Sequence, residues 1–215
     1  MKKFLLVFTV VLSACSTSFK DNIPTEEVAE PEVSLEQKAE DIALVQKESS
    51  DPEKGASLTI HGNRNESLIT FTGKKGNLVS HEGAFYNVNF QIILNEEAPE
   101  DLTKSQIALS VPIGSMKTDN EGLTTDLLSA NFFDSEKYPQ AMFLSTKVEL
   151  IEGTMYSIQG NLTLHGVSKP ATLTAEITDT ALTMRHTLDR NEFGIGKPGG
   201  IDAEIPLEIS IPFVQ

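Results

Sequence analysis

Between about Ser57 and Phe213 apolar side chains return at every second position, a period that an extended strand converts into one apolar and one polar face. Tyr86, Val88, Phe90, Ile92 and Leu94 alternate with Asn87, Asn89 and Gln91; Ile107, Leu109, Val111 and Ile113 alternate with Ala108 and Ser110. The pattern recurs from Tyr156 to Leu164, from Thr172 to Ile177, from Leu182 to Leu188 and from Ile205 to Phe213. Turn sequences such as Asn95-Glu96-Glu97-Ala98-Pro99 and Ile151-Glu152-Gly153-Thr154 separate the runs. About eight or nine short strands joined in this way predict one all-β domain, an antiparallel barrel or a sandwich. A domain of roughly 160 residues buries ~70% of its unfolded surface and holds a core of its own. Pro206 and Pro212 cannot donate to a ladder, so the last strand is expected at a seam, a bulge or a rim. The stretch Thr125 to Phe133 breaks the alternation and reads as a short helix over one end of the barrel.

The first residues follow another logic. Met1-Lys2-Lys3, the apolar run Phe4 to Leu12 and then Ser13-Ala14-Cys15 have the layout of a signal peptide over residues 1–14, too short for a spanning helix. Leu12-Ser13-Ala14-Cys15 resembles the lipobox of bacterial lipoproteins, which makes Cys15 the expected lipid anchor; an ordinary secreted protein with a chance cysteine is the alternative. Several acyl chains hold a protein to a membrane where one is marginal. Ser16 to Lys54 carries eleven acidic residues and four lysines, with Pro24, Pro31 and Pro52. That composition predicts a mostly disordered acidic tether over residues 15–54, ahead of a domain over 55–215. Ser34-Leu35-Glu36-Gln37 is a capping box, so a helix from Leu35 to about Lys47 is a local exception.

Cys15 is the sole cysteine, which excludes a disulfide, a thiolate metal site and a thiol nucleophile in the domain. The formal charge of −14 becomes −16 once Lys2 and Lys3 are removed. Such a surface argues against nucleic acid and against broad adsorption to anionic lipid.

Three segments carry a resemblance to a known family. Gly160-Asn161-Leu162-Thr163-Leu164-His165-Gly166-Val167-Ser168-Lys169-Pro170 resembles the hairpin of the YceI-like lipid- or polyisoprenoid-binding family. Leu127 to Asp134 with Lys137-Tyr138-Pro139 is similar to that family's "L-x-s-x-d-F-F-d-v-x-k-y-P" stretch, and Leu188 to Ile195 to its "i-n-R-x-d-F-G-i" segment. Phe71-Thr72-Gly73 and His81-Glu82-Gly83-Ala84-Phe85 look like its opening strands. The resemblance implies a lipocalin-like antiparallel barrel of about eight strands around an apolar tunnel, with an isoprenoid or fatty amphiphile inside. Alternation alone does not distinguish a hollow barrel from one filled by side chains.

Ten strand residues are the candidates for an apolar lining: Phe71, Phe90, Ile92, Leu109, Val111, Phe143, Leu162, Leu164, Met184 and Phe193, about half of them expected to be simple core. Phe132 and Phe133 read as structural first, plug or tunnel wall second. His81 beside Glu82, Lys169 and Arg190 are head-group candidates, because cationic donors pair with anionic oxygens. The competing role for Arg190 is a local ion pair with Asp134 or Asp189 that holds a loop closed. His61-Gly62 and His165-Gly166 read as turns, and the four histidines lack the spacing of a metal site, so no metal or other cofactor is expected. Lys74-Lys75 between Gly73 and Gly76 reads as a solvated turn, with no following helix to bind phosphate. No nucleophile elbow, zinc-hydrolase helix or phosphate loop is present, and no catalytic residue is assigned.

A membrane-anchored carrier of an isoprenoid is therefore the leading expectation. A structural or interaction lipoprotein with a solid barrel is its first rival, and a lipid hydrolase its second. Without an aspartate after Cys15, the expected location is the cell envelope, at the outer membrane facing the periplasm, if the host has two membranes.

Overall fold

The computed structural model describes residues 58–76 and 79–215. Cys15, the signal peptide, the acidic tether and its capping-box helix lie outside the described residues.

Eleven strands form among these residues: β1 (Thr59–His61), β2 (Leu68–Lys75), β3 (Val79–Phe85), β4 (Asn89–Ile93), β5 (Gln106–Pro112), β6 (Lys117–Thr118), β7 (Gln140–Glu152), β8 (Met155–Leu164), β9 (Val167–Ile177), β10 (Ala181–Asp189) and β11 (Glu204–Pro212). They make one sheet in the order β1-β4-β5-β7-β8-β9-β10-β11-β2-β3-β6, and every pairing is antiparallel. The sheet curls back on itself where Gly62 bridges Phe213 and the Val214 N–H donates to the His61 carbonyl at 2.8 Å. Of the barrel or sandwich that the alternation allows, the fold is the all-β antiparallel barrel that the resemblance implies. The eleven strands exceed the eight or nine read from the sequence by β1 and β6, pieces of three and two residues, too short to show a period.

Two further departures have local causes. The run from Tyr86 to Leu94 is not one strand: Asn87 takes φ 56°, which ends the alternation, and Tyr86 turns outward while Val88, Phe90 and Ile92 are buried. The helix α1 spans Glu121–Leu128 rather than starting at Thr125, because the Asn120 side chain accepts the Leu123 N–H at 3.1 Å and caps it. Beyond Leu128 the chain turns back, with the Phe133 N–H donating to the Leu127 carbonyl at 3.0 Å.

Proline sets where the sheet pairs. β11 runs beside β10 from Ala181↔Pro212 to Asp189↔Glu204, but meets β2 only over Leu207 to Ser210. Pro206 and Pro212 thus flank the β2 ladder and interrupt none of its bonds. β9 pairs with β8 from Val167 to Glu176, Pro170 included, yet meets β10 only from Ala175 to Ile177. From Arg185 to Asp189, β10 has β11 on one side and no β9 ladder on the other.

The same alternation runs through the whole barrel, but the depth of packing does not. Val88, Ile92, Ile158, Leu182 and Ile211 are at most 1% exposed and fill one end solidly, with Phe90 stacked on Phe213 at 6.0 Å between ring centroids. Toward the β2–β3 turn and the β10–β11 connection, the inward positions Phe71, Leu162, Leu188, Ile205 and Leu207 are only partly buried. Nothing in the period of two distinguishes these two halves.

Candidate functional site

The half-packed end encloses an apolar cavity of about 210 Å³. Its walls come from β2, β3, β5, β7, β8, β9, β10 and β11, and α1 closes over it with Leu123 and Leu127. Two glycines make room for aromatic wall residues. A methyl group at Gly83 would overlap the Phe71 ring, and one at Gly160 would overlap Phe143, so each ring lies flat across a strand that offers no side chain there. Phe71 packs on Phe85 at 5.4 Å, and Phe85 meets Phe133 edge-on at 5.9 Å, which ties the loop after α1 to the wall.

Of the ten lining candidates, Phe71, Leu109, Val111, Phe143, Leu162 and Leu164 border the cavity. Phe90, Ile92, Met184 and Phe193 do not: they are buried in packing away from it, Phe90 and Ile92 in the solid end and Phe193 under the loop after β10. Met184 also touches a shallow, more polar outer groove with Thr70 and Glu208. Phe132 and Phe133 both border the cavity. Leu173, Leu188, Ile205 and Leu207 line it as well. They lie on strands whose alternation was legible, but the sequence gives no measure of how far along a strand the packing thins.

Arg190 is 3% exposed and borders the cavity, and among the described residues it has no acidic partner. Its Nε donates to the Asp202 carbonyl at 3.0 Å and its Nη1 to the Ile195 carbonyl at 2.7 Å. Nη2 donates to the carbonyls of Ile201 at 2.8 Å and Lys197 at 3.2 Å. The expected pairing with Asp134 or Asp189 is replaced by these four carbonyls, and Asp189 instead accepts the Asn191 N–H at 2.9 Å. Arg190 does hold a loop closed, as a fork into backbone.

The other head-group candidates are committed or remote. His81 borders the cavity, but its Nδ1 lies 3.0 Å from Asp119 Oδ1. Lys169 reaches Glu192 at 3.8 Å and is not part of the wall. His165 and Gly166, at φ 52° and 75°, form the two-residue turn between β8 and β9; Tyr138 meets the imidazole edge-on at 4.6 Å, and its Nδ1 lies 3.0 Å from the Phe193 carbonyl. Lys74 and Lys75, at the end of β2, border the cavity mouth. His186 is the residue the sequence did not single out. It faces the cavity from β10, half-buried, and burial lowers its pKa from the ordinary 6.5. Its signal was present in the alternation Leu182, Met184, His186, Leu188, where a polar residue occupies an inward position. Among the described residues, no group of three metal-ligating side chains comes together.

A curled antiparallel barrel, solid at one end and open to an apolar cavity at the other, defines the class: a small β-barrel with space for a ligand inside. The chain belongs to the family of YceI-like domains, whose family model matches residues 56–213. It is 29% identical over 143 residues to a UPF0312 protein of Pseudomonas putida (strain W619), covering 62% of this chain and 73% of that one. Among solved structures it is similar to Burkholderia cenocepacia BcnA, with a TM-score of 0.62, 18% identity, and coverage of 72% of this chain and 99% of that chain. It is also similar to a polyisoprenoid-binding domain from Saccharophagus degradans implicated in plant cell wall breakdown, with a TM-score of 0.55, 12% identity, and coverage of 72% and 97%. At these identities the two structures speak for the fold.

Proposed function

We propose that this protein is a binding protein, not an enzyme, and that its barrel holds the tail of a long apolar lipid of the isoprenoid class. The observation that carries the reading is the cavity: about 210 Å³, walled by leucine, isoleucine and phenylalanine, at the end where the barrel's own side chains stop filling it. Dry apolar space favours an apolar occupant, since each buried CH₂ contributes about 0.8 kcal/mol. The Saccharophagus degradans neighbour, described as a polyisoprenoid-binding domain, supports the choice of class.

The reading includes the N-terminus. Cys15 carries the lipid anchor, and the acidic tether keeps the barrel near the membrane that supplies its ligand, at the outer membrane facing the periplasm. Two experiments test these parts. Native mass spectrometry of the exported chain, followed by solvent extraction, is expected to find one isoprenoid per protein; a chain that emerges empty and takes up no offered isoprenoid overturns the carrier reading and points to a protein partner. Metabolic labelling with a radioactive fatty acid is expected to mark the wild type and not Cys15→Ser, and an unlabelled wild type removes the anchor.

A further inference from the structure

The chain has 31 acidic residues against 17 lysines and arginines, yet among the described residues every ionisable side chain on the cavity wall is basic. Lys74 and Lys75 come from β2, His81 from β3, His186 from β10 and Arg190 from the turn that follows it; α1, β5, β7, β8, β9 and β11 contribute only apolar wall residues. Two of the five are already engaged, His81 with Asp119 and Arg190 with four carbonyls. Arg190 nevertheless carries its positive charge beside apolar space, and among the described residues no carboxylate bonds it directly, the Asp202 side chain lying at the rim where it accepts the Gly76 N–H at 3.1 Å; a charge so placed is lowered in energy by an anion that approaches it. His186 is different in kind. It stands inside the wall, paired across the ladder with Leu207, and no hydrogen-bond partner for its ring is found among the described residues.

We propose that the lipid held in this cavity carries an anionic head, a carboxylate or a phosphate, and that His186 is the side chain that hydrogen-bonds it. The proposal rests on the lipid-holding reading above. The tail occupies the apolar wall and the head lies between His186 and the basic rim, where Arg190 adds charge without moving. A neutral head, alcohol or quinone, would take the hydrogen bond but bring no charge to meet Arg190 and the two rim lysines.

Three isoprenoids with one tail and three heads test this on the full-length chain carrying Cys15→Ser: geranylgeraniol, geranylgeranoic acid and geranylgeranyl phosphate. The acid, the phosphate or both are expected to bind about tenfold or more tightly than the alcohol, since a hydrogen bond to a charged group contributes more than a neutral one. Comparison of the two anions decides which head the site prefers. His186→Leu is expected to remove most of that preference, His186→Gln to keep part of it through its amide donor, and Arg185→Gln, on the outward face beside it, to leave all three affinities as they are. In the wild type, nuclear magnetic resonance is expected to show the His186 pKa rising when the preferred anion binds and not when the alcohol binds. Equal binding of the three compounds, or an anion preference that survives in His186→Leu, overturns the anionic-head proposal and leaves the carrier reading standing. If none of the three binds, both fall.

Discussion

Arg190 and Asp189 are adjacent in sequence and do unrelated work. Asp189 caps the short turn Arg190–Phe193, while Arg190 gathers the carbonyls of residues 195, 197, 201 and 202 around one guanidinium. Proximity in the sequence suggested an ion pair; the choice of carbonyls depends on a loop path that no local pattern records. Removing the fork strands several carbonyls at once, so Arg190→Met is expected to cost about 3 kcal/mol or more in urea denaturation. Arg190→Lys is expected to recover less than half of that, because an ammonium cannot reproduce the planar fork. His186 makes a second prediction. Burial depresses its folded-state pKa, so the unfolded chain takes up the proton first as the pH falls. Its contribution to stability is present above about 6.5 and is lost as the pH drops toward the folded value. Thermal melts of His186→Phe and wild type are expected to diverge between about pH 7.5 and pH 5, with the variant showing the shallower decline.

At the level of elements, most strands were legible because a period of two survives much detail of packing, but the alternation marked β9 only from Thr172 although it begins at Val167 after the His165-Gly166 turn, and it did not mark β7, whose period is shifted by the bulge between Ser145 and Lys147. Helix α1 was misplaced because Asn120 to Gly122 has the composition of a loop, whereas the structure uses Asn120 as a cap. Six of the ten lining candidates border the cavity; of the four that do not, Phe90, Ile92 and Met184 sit on the same kind of alternating strand, and Phe193 lies in the turn after β10. The difference lies in what faces them across the barrel, which is a property of closure and not of any one strand. Asn120→Ala is expected to cost about 1 kcal/mol through loss of the cap. Since Leu123 and Leu127 roof the cavity, the same variant is expected to speed lipid release in a stopped-flow exchange assay, and an unchanged off-rate would show that the roof does not gate the site. Ala141 sits on the wall from β7, and Ala141→Trp is expected to fill the space and reduce lipid uptake while the far-ultraviolet spectrum stays that of the wild type.

For the whole molecule, a barrel packed solidly at one end has a stable foundation for a half-empty one at the other. A ligand bound to the folded state alone stabilises it by about 2.7 kcal/mol at a free concentration of a hundred times Kd. For a domain of this size that is a rise in melting temperature of roughly 5 to 10 °C, measurable by calorimetry with and without the isoprenoid. A partial ladder has a kinetic meaning as well. Beyond Met184 and Ala175 the strands β9 and β10 share no ladder, and the wall there is continued by side chains and by the turn that leans on His165 through the Phe193 carbonyl. Along that line the barrel has a seam, and parting it breaks no inter-strand backbone bond. Local breathing opens such a line first, so amides of Arg185 to Asp189 that point toward the seam should exchange with deuterium far sooner than those of Leu182 and Met184, and should slow once the cavity is filled.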